Sequence, residues 1–137
     1  ENDDVKSSPI IGEDGTVYIS MYPSQIHALE PSGNLKWKYT ASGNIDSTMA
    51  ISEDGTIYAA AREGLCHAIT PSGETKWELN IGASYFQSSL SISPEGTIYA
   101  GSDSGYLVAI NSDGGELADT PWPKQGSNIR NTNSVKQ

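Results

Sequence analysis

The chain has 137 residues, of which 36% are hydrophobic and 14 are glycine, and its net charge is −9 from 17 acidic and 8 basic residues. This acidity argues against nucleic acid as a partner, because phosphate neutralisation needs clustered Lys and Arg, and against docking on an anionic membrane surface. Cys66 is the only cysteine, so no disulfide within the chain and no cysteine metal site is expected. Without a run of about 18 apolar residues, no membrane insertion is expected either.

Three segments of the chain have similar sequences: residues 13–40, 53–80 and 94–117. Equivalent positions are separated by 40 and then 41 residues, as Ala28, Ala68 and Ala109 show. A period in this range is typical of repeat architectures, in which one supersecondary unit is copied and stacked.

The first copy predicts four strands separated by turns. Asp14-Gly15 is a hairpin signal, Tyr22-Pro23-Ser24 breaks the second strand, and Pro31-Ser32-Gly33 is a turn in which Gly33 supplies a positive φ. The last strand alternates apolar and charged residues, so we expect it to have one solvated face and to lie outermost. The predicted strands of this copy are 7–11, 16–20, 25–29 and 35–39.

The later copies repeat this plan, and no segment has the helical period. Their predicted strands are 48–51, 56–60, 65–69, 75–79, 89–92, 97–101, 106–110 and a weak 116–118. Four short strands with turns between them are typical of an antiparallel meander. A lone meander cannot bury both faces, and a β-propeller is the common way to stack such units. The sequence therefore predicts an all-β fold of three four-stranded meander repeats, a partial propeller closed by oligomerisation or by further blades.

A family resemblance rests on the string from Ala28 to Trp37, which is repeated from Ala68 to Trp77. It resembles the tryptophan-docking signature of pyrroloquinoline-quinone-like (PQQ-like) propeller repeats, Ala-x-Asp-x-x-Thr-Gly-x-x-x-Trp. The turn is one residue shorter here, like the Ala-x-x-Pro-Ser-Gly-x-x-Lys-Trp form of bacterial envelope proteins. In the third copy Leu117 occupies the Trp position. We expect Trp37 and Trp77 to pack onto the neighbouring blade, with Gly33 and Gly73 as further structural docking positions.

The segment from Pro121 to Ser134 looks like the Trp-Pro…Asn-x-x-x-Thr segment that precedes a blade opening in this family. It is either a tail that closes the ring with blade 1 or a disordered end. The expected organisation is a flexible N-terminus at 1–6, blade 1 at 7–46, blade 2 at 47–87, blade 3 at 88–120 and the tail at 121–137.

The resemblance does not carry the family's cofactor to this chain. Quinone-dependent members have Ca²⁺ ligands, a disulfide between adjacent cysteines and a Trp that stacks on the quinone, on a ring of eight blades. A chain with one cysteine and three blades cannot assemble this site. We therefore expect no quinone or other cofactor, no metal and no catalytic residue. The family includes a lipoprotein that helps to assemble outer-membrane barrels, which implies an extracytoplasmic location in the periplasm, at the cell surface or outside the cell.

The recurring polar residues fit structural roles. His27 and His67 occupy matched positions at which a metal pair is conceivable, but the third copy has Val108 there, which favours packing. The carboxylates of Asp14, Asp54 and Glu95 recur because such turns favour them, and they do not indicate acid–base chemistry.

Function is expected where the copies differ, in the connections 41–46 and 81–87 and in the loops 22–24, 62–64 and 103–105, all at one end of the blades. The candidate rim for a carbohydrate or peptide consists of Asn44, Asp46, Arg62, Glu63, Tyr85, Phe86 and Gln87. In the alternative interpretation, Tyr85 and Phe86 fill the groove between blades.

The sequence favours a non-catalytic propeller scaffold that binds a protein or glycan in the bacterial cell envelope. The expected state is a homo-oligomer or part of a larger chain that supplies the missing blades. The alternatives are the propeller framework of a secreted enzyme acting on polysaccharide or peptide, and a fragment of a larger propeller protein.

Overall fold

The computed structural model describes residues 4–82, 86–103, 105 and 107–113, which form eleven strands in three antiparallel sheets. Blade 1 contains β1 (Ile10–Ile11), β2 (Val17–Met21), β3 (Gln25–Leu29) and β4 (Leu35–Thr40). Blade 2 contains β5 (Ala50–Ile51), β6 (Ile57–Ala60), β7 (Leu65–Ile69) and β8 (Thr75–Asn80). Blade 3 contains β9 (Ser91–Ile92), β10 (Thr97–Gly101) and β11 (Leu107–Asn111).

Within each blade every strand pairs with the next one along the chain, and the described ranges contain no helix. The predicted all-β fold of antiparallel meanders is therefore confirmed. The predicted weak strand at 116–118, Leu117, Tyr85 and the predicted tail at 121–137 lie outside the described residues.

The first strand of each blade is shorter than predicted, with two residues in place of four or five. A serine side chain replaces the missing part of the backbone ladder. Ser47 Oγ donates to the carbonyl oxygen of Ala60 at 3.0 Å, and Ser88 Oγ donates to that of Gly101 at 2.7 Å. Each of these bonds joins residues 13 apart in the chain, so it connects the segment before the first strand to the end of the second strand without backbone pairing.

The strands differ in burial according to their position in the blade. All four residues of β6 are buried, whereas β4 and β8 alternate between exposed and half-buried residues. This pattern confirms the expected solvated face of the fourth strand. The first strands of blades 2 and 3 lie side by side, and the Leu90 amide donates to the Thr48 carbonyl at 3.1 Å. The first strands therefore form the inner edge of the stack.

Two apolar clusters hold the sheets together, and each takes residues from two blades. The cluster between blades 1 and 2 contains Tyr18, Ile26, Ala28, Ala41, Ile45, Met49, Ile57, Ala59, Ala61 and Ile69. The cluster between blades 2 and 3 contains Tyr58, Ala60, Cys66, Ala68, Phe86, Leu90, Ile98, Ala100, Val108 and Ile110. Burial raises the pKa of the Cys66 thiol to about 12, so this side chain is a small neutral core residue.

A tryptophan near the outer edge of each of the first two blades contacts the next blade. Trp37 Nε1 donates to the carbonyl oxygen of Pro71 at 2.9 Å, and Trp77 Nε1 donates to that of Ser112 at 3.0 Å. The Trp37 ring covers Gly73, where a Cβ atom would lie 2.7 Å from Trp37 Cδ2. The equivalent Gly33 has nothing within 4 Å of the corresponding position. The close contact of the Trp37 indole with blade 2 therefore requires glycine at position 73. No side chain in the described residues makes the same demand at position 33.

The N-terminal residues 4–6, predicted to be part of a flexible segment, are instead hydrogen-bonded to the end of β2. Val5 bridges to Met21, the Lys6 amide donates to the Ser20 carbonyl at 3.2 Å, and the Tyr22 amide donates to the Asp4 carbonyl at 2.8 Å. These bonds fix the position of Lys6 at the end of the inner edge.

The glycine pair provides a test of the tryptophan contact. Gly33 and Gly73 have φ of 89° and 90°, so alanine at either site costs about 1–2 kcal/mol for the left-handed backbone. We expect Gly73→Ala to lose about 1–3 kcal/mol more than Gly33→Ala, because its methyl group overlaps Trp37. Urea unfolding of the two variants measures the difference, and equal losses would contradict the contact.

Candidate functional site

A cleft of about 350 Å³ opens at the loop end of the blades. Its lining consists of Lys6, Tyr22, Asp46, Arg62 and Gln87, and we call it the loop-end cleft. Blades 1 and 2 contribute loop residues to it, and Gln87 comes from the approach to blade 3.

The lining residues occupy matched positions in the repeat. Lys6, Asp46 and Gln87 each stand immediately before the serine that opens a blade, and Tyr22 and Arg62 each follow a second strand. The serines keep a common role, since Ser7 accepts a hydrogen bond from Ser20 at 2.7 Å, at the position where Ser47 and Ser88 bond to the second strand. The same repeat positions line the cleft in each blade, but their residue types differ from blade to blade. Such variation is typical of surface positions that the fold does not depend on.

The charges in the cleft are paired. Arg62 Nη2 forms an ion pair with Asp46 Oδ2, and the Asp46 side chain is only 16% exposed. Lys6 Nζ lies 3.4 Å from Asp4 Oδ2 and 5.6 Å from the centroid of the Tyr22 ring. The cleft therefore presents donors, acceptors and one aromatic ring with little net charge.

Hydrogen bonds hold the connection 41–46, between blades 1 and 2, against the loop 62–64 of blade 2. The Asn44 amide donates to Glu63 Oε2 at 2.9 Å, and the Arg62 amide donates to the Asn44 carbonyl at 2.8 Å. Gly43 has a φ of 106°, and a Cβ atom there would overlap the Glu63 carboxylate. Asn44 and Glu63 thus position the segments that carry Asp46 and Arg62.

The structure brings together part of the predicted rim. Asp46, Arg62 and Gln87 line the cleft, whereas Asn44 and Glu63 connect the loops behind it. Phe86 is fully buried between blades 2 and 3, so its assignment to an exposed rim is wrong and the alternative holds for this residue. It is the repeat equivalent of Ile45, which is buried between blades 1 and 2.

Sequence reasoning missed two lining residues, Lys6 and Tyr22. Lys6 lies in the segment predicted to be flexible and Tyr22 in the loop 22–24, where function is expected, but neither belongs to the predicted rim. Alignment of the repeats predicts both residues, because Lys6 lies 40 residues before Asp46 and Tyr22 lies 40 residues before Arg62.

The two histidines have separate environments. His27 Nε2 lies 2.9 Å from Gln25 Oε1. His67 is fully buried between blades 1 and 2, with Nδ1 3.2 Å from Glu78 Oε2 and 3.4 Å from the Tyr39 hydroxyl. Burial lowers the pKa of His67, against an opposing effect of Glu78, so the imidazole is neutral at pH 7. Within the described residues, no group of three or more His, Cys, Asp or Glu side chains is arranged to hold a metal ion.

The opposite end, which carries the Asp-Gly turns, has larger clefts of about 560 Å³ and 380 Å³ between successive blades. Their carboxylates serve the fold. Asp14 accepts bonds from the Thr16 amide at 3.0 Å, the Thr16 hydroxyl at 2.8 Å and Lys36 Nζ at 3.0 Å. Asp54 repeats these contacts in blade 2. Because the two clefts reuse one set of repeat positions, we assign them to the framework.

The three repeated antiparallel sheets define a partial β-propeller. A family model described as "Outer membrane protein assembly factor BamB" matches residues 2–137, and the chain belongs to this family of PQQ-like propeller repeat proteins. No curated protein sequence matches the chain.

Solved structures share the fold at low sequence identity. BamB from Moraxella catarrhalis is 16% identical with a TM-score of 0.69, over 85% of this chain and 36% of that one. Quinohemoprotein alcohol dehydrogenase from Comamonas testosteroni is 22% identical with a TM-score of 0.67, over 88% and 21%. Kuenenia stuttgartiensis hydrazine synthase is 16% identical with a TM-score of 0.75, over 86% and 35%. The chain therefore spans roughly a fifth to a third of the length of these structures.

None of the described residues belongs to a helix long and apolar enough to cross a membrane.

The turn carboxylates predict a measurable acid titration. The Thr16 amide, the Thr16 hydroxyl and Lys36 lower the pKa of Asp14 from 3.8 to about 2. Its stabilising contribution is therefore complete above the unfolded-state pKa and is lost as pH falls through about 2.

Carbon-13 NMR titration of the Asp14 carboxyl measures this pKa directly. We expect a midpoint near 2 in the wild type and a shift toward 3.8 in Lys36→Met. Lys38→Met, which removes a cation from the same strand without a bond to Asp14, is the matched control. A wild-type midpoint near 3.8, or equal effects of the two variants, would contradict the assigned contacts.

Proposed function

We propose that this chain is a non-catalytic propeller scaffold of the bacterial cell envelope and that it binds a protein or glycan partner at its loop end. The observation that carries the proposal is the loop-end cleft. Recurring structural positions there carry a different side chain in each blade, whereas the turn end repeats the same contacts. Variation confined to one end of a repeated framework is the pattern of a binding surface.

The extracytoplasmic location is supported by the family. Its description names an assembly factor for outer-membrane proteins, and a solved BamB structure shares the fold. Both support a partner-binding role outside the cytoplasm, in the periplasm, at the cell surface or in secreted form.

The chain is proposed to work as part of a larger ring, supplied either by further blades or by other copies. Large apolar side chains outside the loop-end cleft are exposed on blade 1 and the segment before it: Val5 at 55%, Ile11 at 66% and Leu35 at 49%. Gly33 lacks the covering indole that Gly73 has. A neighbouring blade on this side would cover such a face.

An enzyme framework is the second candidate, because two of the structural neighbours are named as enzymes and this chain matches only part of each. In that case the chain supplies blades while other parts of a longer protein supply the catalytic groups. The described residues favour the scaffold, since their turn carboxylates are engaged in framework bonds.

The scaffold proposal is tested by locating where a partner binds. A glycan array and a peptide array tiling outer-membrane protein sequences are probed with the wild-type chain, and hydrogen exchange is measured with each ligand that binds. We expect slower exchange at residues 22–24, 41–46 and 62–64 and no change at the turns 12–16 and 52–56. Protection confined to the turn end, or no binding to either array, would refute the proposal.

A further inference from the structure

We propose that the loop-end cleft binds a neutral carbohydrate through the Arg62–Asp46 pair, the Gln87 amide and the Tyr22 ring. This inference rests on the proposed function, because it names the class of ligand taken at the same end of the propeller. It adds Lys6 and Tyr22 to the residues of the predicted rim.

The balance of charge in the cleft favours a neutral ligand. Arg62 is paired with Asp46 and Lys6 with Asp4, so each cation has a carboxylate next to it. An anion that approaches Arg62 also meets Asp46, and a cation that approaches Asp46 meets Arg62. A hydroxyl group both donates and accepts, so a sugar can bond to both members of such a pair without a net charge of its own.

The donor and acceptor set suits a pair of neighbouring hydroxyl groups. A guanidinium has five N–H donors and a carboxylate has about four acceptor sites, and the Arg62 side chain keeps 41% of its surface exposed while it is paired with Asp46. The Gln87 amide adds a donor and an acceptor at the same cleft. Hydrogen bonds to charged groups are stronger than bonds between neutral groups, so vicinal hydroxyls are recognised here.

An aromatic ring completes the set. Tyr22 is 41% exposed, whereas the other tyrosines that the structure describes are buried or half-buried: Tyr18, Tyr39, Tyr58 and Tyr99. Its ring gives an apolar surface with a polar tip, onto which the C–H face of a sugar can pack. Lys6 Nζ lies over the ring, 5.6 Å from its centroid, and its ammonium group is a further hydrogen-bond donor at this surface.

The site is held in place before a ligand binds. The Arg62 amide is bonded to Asn44, and Asn44 in turn to Glu63, so the two loops behind the cleft form one connected unit. Preorganisation of this kind lowers the entropic cost of binding. The cleft volume of about 350 Å³ suits one or two sugar units, at the lower end of small-ligand sites.

The test uses the full 137-residue chain and neutral probes. Titration calorimetry and saturation-transfer NMR are run with glucose, galactose, N-acetylglucosamine and their neutral disaccharides, alongside galacturonate as the anionic probe and glucosamine as the cationic probe. We expect a neutral sugar to bind better than either charged probe. Raising NaCl from about 50 to 500 mM should change its dissociation constant less than about twofold, because little charge is neutralised on binding.

Three variants assign the binding to the cleft. Asp46→Asn and Tyr22→Leu should each weaken binding of the neutral sugar about tenfold, since one removes a charged acceptor and the other the stacking surface. Lys38→Ala, on the solvated face of β4, is the matched control and should bind as the wild type does. Circular dichroism of each variant shows whether the fold is kept. If Tyr22→Leu does not fold, the isosteric variant Asp46→Asn alone decides the test.

The inference is overturned if no neutral sugar binds, if a charged probe binds better, or if Asp46→Asn binds as tightly as the wild type. Peptide binding at the loop end without sugar binding would overturn the carbohydrate assignment alone and leave the scaffold proposal standing. Protection from hydrogen exchange only at the turn end would overturn both the carbohydrate assignment and the scaffold proposal.

Discussion

The structure depends on one constraint, which is that each meander has two apolar faces and neither can be left in water. Strand β6 shows how the sequence meets it. Ile57 and Ala59 pack toward blade 1, while Tyr58 and Ala60 pack toward blade 3, as the alternation of a strand requires. A slip of one residue would exchange the two sets, so burial on both faces fixes the register of the blade. The short alanine side chains also let neighbouring sheets approach closely.

The two interfaces are built to the same plan but are not interchangeable. Between blades 1 and 2, the Tyr39 hydroxyl approaches His67 and bonds to Thr75 at 3.1 Å. At the equivalent positions between blades 2 and 3 stand Leu79 and Val108, and Leu79 packs against the apolar cluster that contains Val108. If the blade face that carries Tyr39 packed on the one that carries Val108, or the face with Leu79 on the one with His67, a polar group would be buried without its hydrogen-bond partner. Such burial costs about 1–3 kcal/mol. The order of the blades is therefore encoded in their contact surfaces.

The sequence allowed most of the frame to be predicted, because turns, alternation and the repeat period are local signals. The lengths of the inner strands were not predictable, since Ser47 and Ser88 replace backbone pairing with a side-chain bond that depends on the adjacent strand. The site was predictable where the copies differ, at Asp46 and Arg62. Phe86 was assigned to the rim because an aromatic residue in a variable connection resembles a binding residue. Its burial follows from its repeat position beside the next blade, which matters more than its residue type.

The tryptophan contact described above runs in one direction along the chain. Trp37 donates to a carbonyl of the blade that follows, and Trp77 does the same one blade later. A donor on one face and an acceptor on the other make the contact heterologous, so it cannot join two identical faces about a two-fold axis. Units that associate through it alone either close with cyclic symmetry or continue as an open array. The polarity of a single indole N–H bond thus limits the symmetries available to any assembly built from these blades.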